Sequence, residues 1–375
     1  MKAFGCLFFA LFFCFCFALP ALAADTLMED LFESAELDRL EEVLPSDLPM
    51  RETLLKGVKN GEDLTSQHFF SALFSSVWEG AKSAVSTEVA LFASLFCVLV
   101  LSAFFSAMSL SWFRDSVRDA VDFLCALVLA GVSYHGLYSL FLTVRETLTV
   151  LLSFLSSMLP ITGAVYTLSG GVVSSTVQSS LFLSAMTVLE SLANEYLLPL
   201  LCTSFALSAA GAVSSVNFSS LSRFLRRVVT VGISALFLVL LAILSVQTLL
   251  SASADSLTLR SARFAAANFI PAVGGMFSES AKTVFSAMHV LRGSIGFLGV
   301  FSVLWIVLLP LFWVLVRQAL FRLLSAFAEC FALERESAFL SDCAQTLSIL
   351  NAVVLSGGVF FLLGFGIFIS VPIGG

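Results

Sequence analysis

The sequence is poor in charged residues: Asp, Glu, Lys and Arg make up 12% of the chain, while 59% of its residues are hydrophobic. Ordinary globular domains are about a quarter charged and about half apolar. One soluble core cannot bury this much apolar surface, so the composition predicts an integral membrane protein. No extended basic face occurs either, which argues against nucleic acid as a partner.

Motifs that carry catalysis or hold a cofactor are also missing. The chain has no Gly-rich phosphate loop, no GxSxG string and no HExxH string. Its three His residues lack ligand spacing and no CxxC pair occurs. The eight Cys residues lie within or beside apolar stretches, without the pattern of a disulfide framework. We therefore expect no enzyme, no cofactor and no metal site.

The N-terminus has the layout of a secretory signal. Residues 1–24 combine one Lys, an apolar run and Ala21-Leu22-Ala23 before Ala24-Asp25, which predicts a cleavable signal peptide and an exoplasmic mature N-terminus. An uncleaved anchor helix is the alternative. Half of the acidic residues, 13 of 26, lie between Asp25 and Glu79. Leucines spaced among these acids predict an acidic helical exoplasmic region at 25–80.

Long apolar runs dominate the rest of the chain. Each is close to the length of about 20 residues that a membrane-spanning helix requires; they cover residues 88–110, 120–143, 147–168, 194–216, 228–250, 297–316 and 347–371. The fold class is therefore all-α, a polytopic helical membrane protein with 6–7 transmembrane helices.

Two similar strings suggest an internal repeat. The strings are Pro160-Ile161-Thr162-Gly163 and Pro271-Ala272-Val273-Gly274, and each precedes a Leu-Leu-Pro-Leu stretch. The proline of that stretch is Pro199 in the first copy and Pro310 in the second. It follows the first proline by 39 residues in both copies, since 199 − 160 = 39 and 310 − 271 = 39. Gly- and Pro-interrupted segments at matching places indicate broken, re-entrant helices. A chance match in a chain of this composition is the alternative. The candidate pathway residues are Pro160, Gly163, Pro271, Gly274 and Gly275.

This repeat suggests how the membrane part is divided. We expect a first transmembrane hairpin at 81–146, one repeat unit at 147–254 and a second at 255–375.

The distribution of Arg favours six crossings. Cytoplasmic loops carry an excess of Lys and Arg. With the N-terminus outside, the cluster of Arg223, Arg226 and Arg227 falls on the cytoplasmic side only if the run at 147–168 is re-entrant. Seven crossings remain the alternative. Residues 219–229 are expected to form an amphipathic helix on the cytoplasmic surface.

Ionisable residues within apolar segments are further candidates, because charge in hydrocarbon must be paired or reach water. Glu190 and Glu195 precede Leu197-Leu198-Pro199 and lack a local cation. They are predicted to line a cation-attracting mouth, unless both lie in interfacial water. Arg118 and Asp122 are four residues apart and are expected to form a structural ion pair. A transport role is the alternative for this pair.

A longer string adds a family resemblance. Asn268-Phe269-Ile270-Pro271-Ala272-Val273-Gly274-Gly275-Met276-Phe277, after Arg263-Phe264-Ala265, resembles the central motif of the stage III sporulation protein AE family. The signal, the acidic region and the spans agree with it. The resemblance implies a multi-pass protein of the mother-cell membrane around the forespore, without enzyme activity.

The same resemblance implies partners. These are the other proteins of the stage III sporulation operon and a forespore membrane partner, beside the lipid bilayer that the composition already predicts. Together they would form a secretion-like channel that sustains late forespore gene expression. Whether the chain also forms homo-oligomers is left open. An independent secondary transporter that depends on Glu190 or Glu195 is the competing function, and a scaffold without any pathway is the third.

Overall fold

The structure is a computed structural model. It describes the backbone of residues 67–109, 115–168, 172–214, 218–269 and 274–370, and side chains mainly within 88–107, 123–164, 180–214, 218–246 and 294–366. Every regular element in these ranges is a helix, which confirms the all-α class. The expected signal peptide and most of the acidic region lie outside the described residues.

The described chain forms long helices in sequence. They are α1 (Gln67–Ser109), α2 (Asp115–Leu168), α3 (Val172–Leu192), a π-helix (Ala193–Leu197), α4 (Leu198–Val213), α5 (Ser219–Phe269), α6 (Gly274–Cys330) and α7 (Glu334–Ser370). Among the residues described, six stretches are long and apolar enough to cross a membrane, with α3, the π-helix and α4 counted together. This confirms a polytopic helical membrane protein.

The apolar runs at 120–143 and 147–168 are one helix. The polar pair Arg145 and Glu146 separates them in the sequence, but both residues are exposed within α2 and do not interrupt it. A charged pair on the outer surface leaves the backbone hydrogen bonds intact, so the helix continues through it.

The expected break at Pro160 and Gly163 is wrong, because α2 remains helical to Leu168 with Pro160 inside it. The hydroxyls of Ser157 and Thr162 donate to backbone carbonyls of the preceding turn, each at 3.0 Å. These bonds belong to the turns on either side of Pro160, and proline is tolerated within membrane helices. The predicted re-entrant hairpin is therefore an extension of the second span.

The second predicted break falls between two helices. α5 ends at Phe269 and α6 begins at Gly274, while Pro271 lies outside the described residues. The proposed boundaries at 80/81, 146/147 and 254/255 fall inside α1, α2 and α5 respectively. The division into repeat units stays a prediction.

A tight turn joins α6 to α7. Ala332 has a φ of 58°, and its neighbour Leu333 donates its backbone N–H to the Ala328 carbonyl at 2.9 Å. Ala332 itself donates to the Glu329 carbonyl at 3.0 Å. These two bonds form a Schellman motif, with Ala at the position that normally favours Gly. The motif reverses the chain, so α6 and α7 pack as an antiparallel pair.

Glycines bring α7 close to its neighbours. A Cβ at Gly358 would lie 2.9 Å from Val307 Cγ1 on α6, and a Cβ at Gly364 would overlap the ring of Phe182 on α3. Membrane helices use small residues in this way because close backbone approach increases van der Waals contact. The α7 helix therefore lies at the centre of the described bundle.

Hydrogen bonds show that several helix ends meet at one end of the bundle. Near the end of α1, Ser102 Oγ donates to Glu336 Oε1 near the start of α7, at 3.3 Å. Asp342 on α7 accepts from Ser208 near the end of α4 and from Arg226 near the start of α5. We call this region the polar end; it comprises Ser102, Ser204, Ser208, Ser222, Arg226, Glu336 and Asp342.

Candidate functional site: polar clusters inside the helix bundle

A buried ion pair joins α1 to α6. Arg317 Nε donates to both carboxylate oxygens of Glu88, at 2.9 and 2.8 Å, and Arg317 Nη2 donates to Oε1. The two residues are 6% and 1% exposed. Arg317 Nη1 donates to the Gly136 carbonyl and to Ser139 Oγ on α2. One guanidinium therefore fixes three spans relative to one another.

The position of this pair makes it expensive to break. Arg317 lies 330 − 317 = 13 residues from the end of α6, about 20 Å along the helix. A planar guanidinium that binds a carboxylate through two nitrogens is the geometry in which such burial is tolerated. The pair consequently has a structural role, in which it sets the arrangement of α1, α2 and α6.

A second cluster occupies the polar end. Arg226 Nη2 donates to Asp342 Oδ1 at 2.6 Å, and Ser208 Oγ donates to Asp342 Oδ2 at 2.8 Å. The hydroxyls of Ser208 and Ser222 lie 2.6 Å apart, and Ser204 Oγ donates to the Ser222 carbonyl at 2.9 Å. This network fastens α4 and α5 to α7.

The network corrects the expectation for residues 219–229. They are the first turns of the long helix α5 rather than a separate surface helix. Their polar residues Ser222 and Arg226 are buried, whereas Leu221, Phe224 and Val228 are exposed. Two polar residues of this stretch thus face inward, because their hydrogen-bond partners Ser208 and Asp342 are supplied by distant parts of the chain.

A third cluster lies where α2 contacts the end of α3 and the π-helix that follows it. Glu190 Oε1 accepts from Asn194 Nδ2 at 2.8 Å and from Thr149 Oγ1 at 3.2 Å. Asn194 Nδ2 also lies 3.5 Å from Thr149 Oγ1. Asn194 is buried, and its Oδ1 has no hydrogen-bond partner. We call these three residues the Glu190 cluster.

The backbone is irregular at the same place. Leu198 N–H donates to the Ala193 carbonyl, five residues back, which is the π-helical bond. Pro199 follows and has no N–H to continue the pattern. One-turn π segments inside α-helices are frequent at functional sites, since they redirect side chains and free backbone carbonyls. Proline and π geometry therefore coincide with the polar cluster.

The residues predicted from the sequence are distributed unevenly over the structure. Glu190 joins a polar cluster, whereas Glu195 is exposed on the π-helix. Pro160 is exposed, and the space around a Cβ at Gly163 is open. Arg118 and Asp122 lie within α2, and Gly274 and Gly275 lie at the start of α6, but the structure describes only their backbone. Pro271 lies outside the described residues.

Sequence reasoning missed the two ion pairs between distant residues. Glu88 and Arg317 are separated by 229 residues, and Arg226 and Asp342 by 116, so no local spacing links them. The available signal was an ionisable residue inside or beside an apolar run, which is a functional or structural candidate by itself. In the parts of the chain that are described, no group of three His, Cys, Asp or Glu residues is arranged to hold a metal ion.

Comparison with known proteins gives the family. The sequence profile described as "Stage III sporulation protein AE (spore_III_AE)" matches residues 50–372, a range that includes every described helix. The chain belongs to the stage III sporulation protein AE family. The resemblance found in the Asn268–Phe277 string is thereby confirmed.

A curated relative supports the assignment. The chain is 27% identical over 322 residues to the stage III sporulation protein AE of Bacillus subtilis (strain 168), covering 82% of this chain and 78% of the relative. No solved structure matches this chain. Membership of the stage III sporulation protein AE family indicates a role in sporulation, and the six apolar helical stretches indicate that the role is carried out in a membrane.

Proposed function

We propose that the protein is a multi-pass membrane component of a channel or secretion-like complex that links mother cell and forespore. In this proposal it acts from the mother-cell side and is needed for forespore development and late forespore gene expression. Its partners are other proteins of the stage III sporulation operon and a forespore membrane protein. The family match over residues 50–372 carries the proposal, since it includes the whole described bundle.

The bundle is suited to a fixed membrane component. Its spans are tied together by buried polar bonds at two levels, the Glu88–Arg317 pair and the polar end. Such bonds fix how helices are arranged more than they contribute net stability. A subunit that holds one arrangement can present a constant surface to other subunits of a complex.

Charge favours a cytoplasmic location for the polar end. Arg residues concentrate near the helix termini at this end; they are Arg118, Arg223, Arg226, Arg227, Arg322 and Arg335. Positive residues near short loops favour the cytoplasmic side. With six crossings, both the N-terminus and the C-terminus are then exoplasmic.

Deletion of the gene in its native sporulating host tests the proposal. Cells are followed by microscopy together with a fluorescent reporter of late forespore transcription. We expect engulfment to finish, the forespore to shrink and the reporter to stay silent, with recovery when the wild-type gene is supplied in the mother cell alone. Recovery only on forespore expression would contradict the mother-cell assignment, and normal spores would contradict the proposal altogether.

The Glu190 cluster supports a second function, that of an independent secondary transporter. Broken or irregular helices with free carbonyls and an acidic residue are typical of transporter binding sites. The transporter hypothesis predicts solute flux by the purified protein alone in liposomes, with loss of flux in Glu190→Gln. Protein of normal stability that catalyses no flux of any tested solute would favour the complex component.

A further inference from the structure

We propose that Glu190, Asn194 and Thr149 form a binding site for one monovalent metal cation of the sodium class. The site lies where α2 contacts the end of α3 and the π-helix. The proposal concerns what the purified chain binds, so it stands or falls separately from the role in the sporulation complex.

The side chains of Asn194 and Thr149 converge on one carboxylate oxygen of Glu190. Asn194 Nδ2 and Thr149 Oγ1 lie 2.8 and 3.2 Å from Glu190 Oε1. Neither ion pair between described residues involves Glu190. Hydrogen bonds therefore hold this carboxylate, but no described cation neutralises it within a segment apolar enough to span a membrane.

The amide of Asn194 points to a missing ligand. Asn194 is 9% exposed, and its Oδ1 has no hydrogen-bond partner, although buried amide oxygens are nearly always satisfied. A half-turn of the amide would replace Nδ2 by Oδ1 beside Glu190 and Thr149. Three oxygens would then face one another, an arrangement that is repulsive when empty and attractive around a cation. The amide can thus serve both the empty and the occupied site.

The π-helix offers further oxygen ligands. Leu198 N–H donates to the Ala193 carbonyl, and Pro199 has no N–H to donate to the carbonyl of Asn194 or of Glu195. Transporters use backbone carbonyls of interrupted helices to coordinate Na⁺. Here the interrupted segment Ala193–Leu197 contains Asn194, whose side chain contacts Glu190.

The charge of the site selects a monovalent ion. The cluster holds one carboxylate, so a single positive charge neutralises it. A divalent ion would leave an excess charge in an apolar segment, which is unfavourable. Its carboxylate, amide and hydroxyl oxygens suit a hard cation and do not suit a soft transition metal.

Arg145 is the competing source of positive charge. It is exposed on α2, one turn before Thr149, whose hydroxyl donates to the Arg145 carbonyl at 3.2 Å. A guanidinium swung toward Glu190 would neutralise the carboxylate without any metal. The experiment must therefore distinguish a bound cation from Arg145.

The test measures the thermal melting of the full-length protein in detergent micelles. Sodium chloride replaces choline chloride at constant ionic strength and pH. We expect a saturable rise in Tm with Na⁺, absent in Glu190→Gln and retained in Glu146→Gln, a matched control that removes an exposed carboxylate on α2. Direct binding of radioactive Na⁺ should follow the same pattern, with affinity at least about tenfold weaker in Thr149→Val.

A variant that gains a response is also needed, because Glu190→Gln could lose the Na⁺ response through misfolding alone. Asn194→Asp adds a second carboxylate, so its Tm should respond to Ca²⁺ while that of the wild type does not. The proposal is overturned if the wild type shows no Na⁺ response, or if Glu190→Gln responds as the wild type does. A Na⁺ response that appears only in Arg145→Gln would also overturn it, and would assign the neutralising charge to Arg145.

Discussion

Replacing Glu88 with Ala is expected to lower the free energy of unfolding by about 3–5 kcal/mol. The substitution leaves the Arg317 guanidinium buried, with only the Gly136 carbonyl and Ser139 Oγ as acceptors. Folded domains are stable by about 5–15 kcal/mol, so a large share of the stability is at risk. The accumulation of the protein in the membrane should fall accordingly.

The second ion pair supplies an internal comparison. The Asp342 side chain is 19% exposed, whereas that of Glu88 is 1% exposed. Water can therefore partly replace Asp342 as a partner of Arg226, and Ser208 Oγ remains near the guanidinium at 3.5 Å. We expect Asp342→Ala to lower stability by about 1–3 kcal/mol, the usual penalty for an unsatisfied buried polar group.

Unfolding by SDS in mixed micelles gives these free energies. The fluorescence of Trp305 and Trp313 reports on α6, where both side chains pack against the core. The decisive variant is the double replacement Glu88→Leu with Arg317→Met, which removes both charges. It should be more stable than Glu88→Ala, because an apolar pair leaves no buried charge unpaired.

Two results would refute this reasoning. A loss below about 1 kcal/mol for Glu88→Ala would mean that water reaches Arg317 and that the pair behaves as a surface salt bridge. If the double replacement has the same free energy of unfolding as Glu88→Ala, the loss comes from the packing of the two side chains and not from an unpaired buried charge.

The remaining predictions concern packing, the α6–α7 turn and accessibility. Gly358→Ala should destabilise the same unfolding transition by about 1–3 kcal/mol through overpacking, while Gly163→Ala should stabilise it by about 0.5–1 kcal/mol, since the space there is open. Loss of stability at both glycines would contradict this contrast. Ala332→Gly should raise stability by about 1 kcal/mol, because its φ of 58° suits Gly; no change would show that the turn is not strained. In single-Cys variants, maleimide should label the exposed Cys330 in the native state and the buried Cys343 only after unfolding, and equal labelling rates would contradict the α7 packing.

The sequence predicted the class of the fold because the apolar runs have the length of membrane spans. It failed at Pro160, since the rule that proline interrupts helices is weaker for membrane helices, which tolerate proline within them. The break predicted at Gly163 was wrong for a related reason, because a single glycine does not end a helix whose backbone hydrogen bonds continue.

The candidate site was predictable only in part. Glu190 was found because a charge within an apolar run is unusual. Its partner Thr149 lies 41 residues away on α2, and no spacing in the sequence indicates that contact. The burial of Arg226 was equally hidden, because it depends on Asp342, which reaches α5 from the last helix.

The length of the helices has a consequence of its own. α6 has 57 residues, or about 85 Å of helix, whereas the hydrocarbon layer is about 30 Å thick and helices tilt by about 20° on average. Roughly 50 Å of α6 must therefore lie outside the hydrocarbon. At the polar end α6 reverses into α7 within three residues. In α2 the apolar stretch Phe123–Ala164 has 42 residues, about twice a membrane span, and its far half needs protein rather than lipid to cover it. The bundle is thus longer than the hydrocarbon layer is thick, so parts of α6 and α2 need water or protein around them in place of lipid.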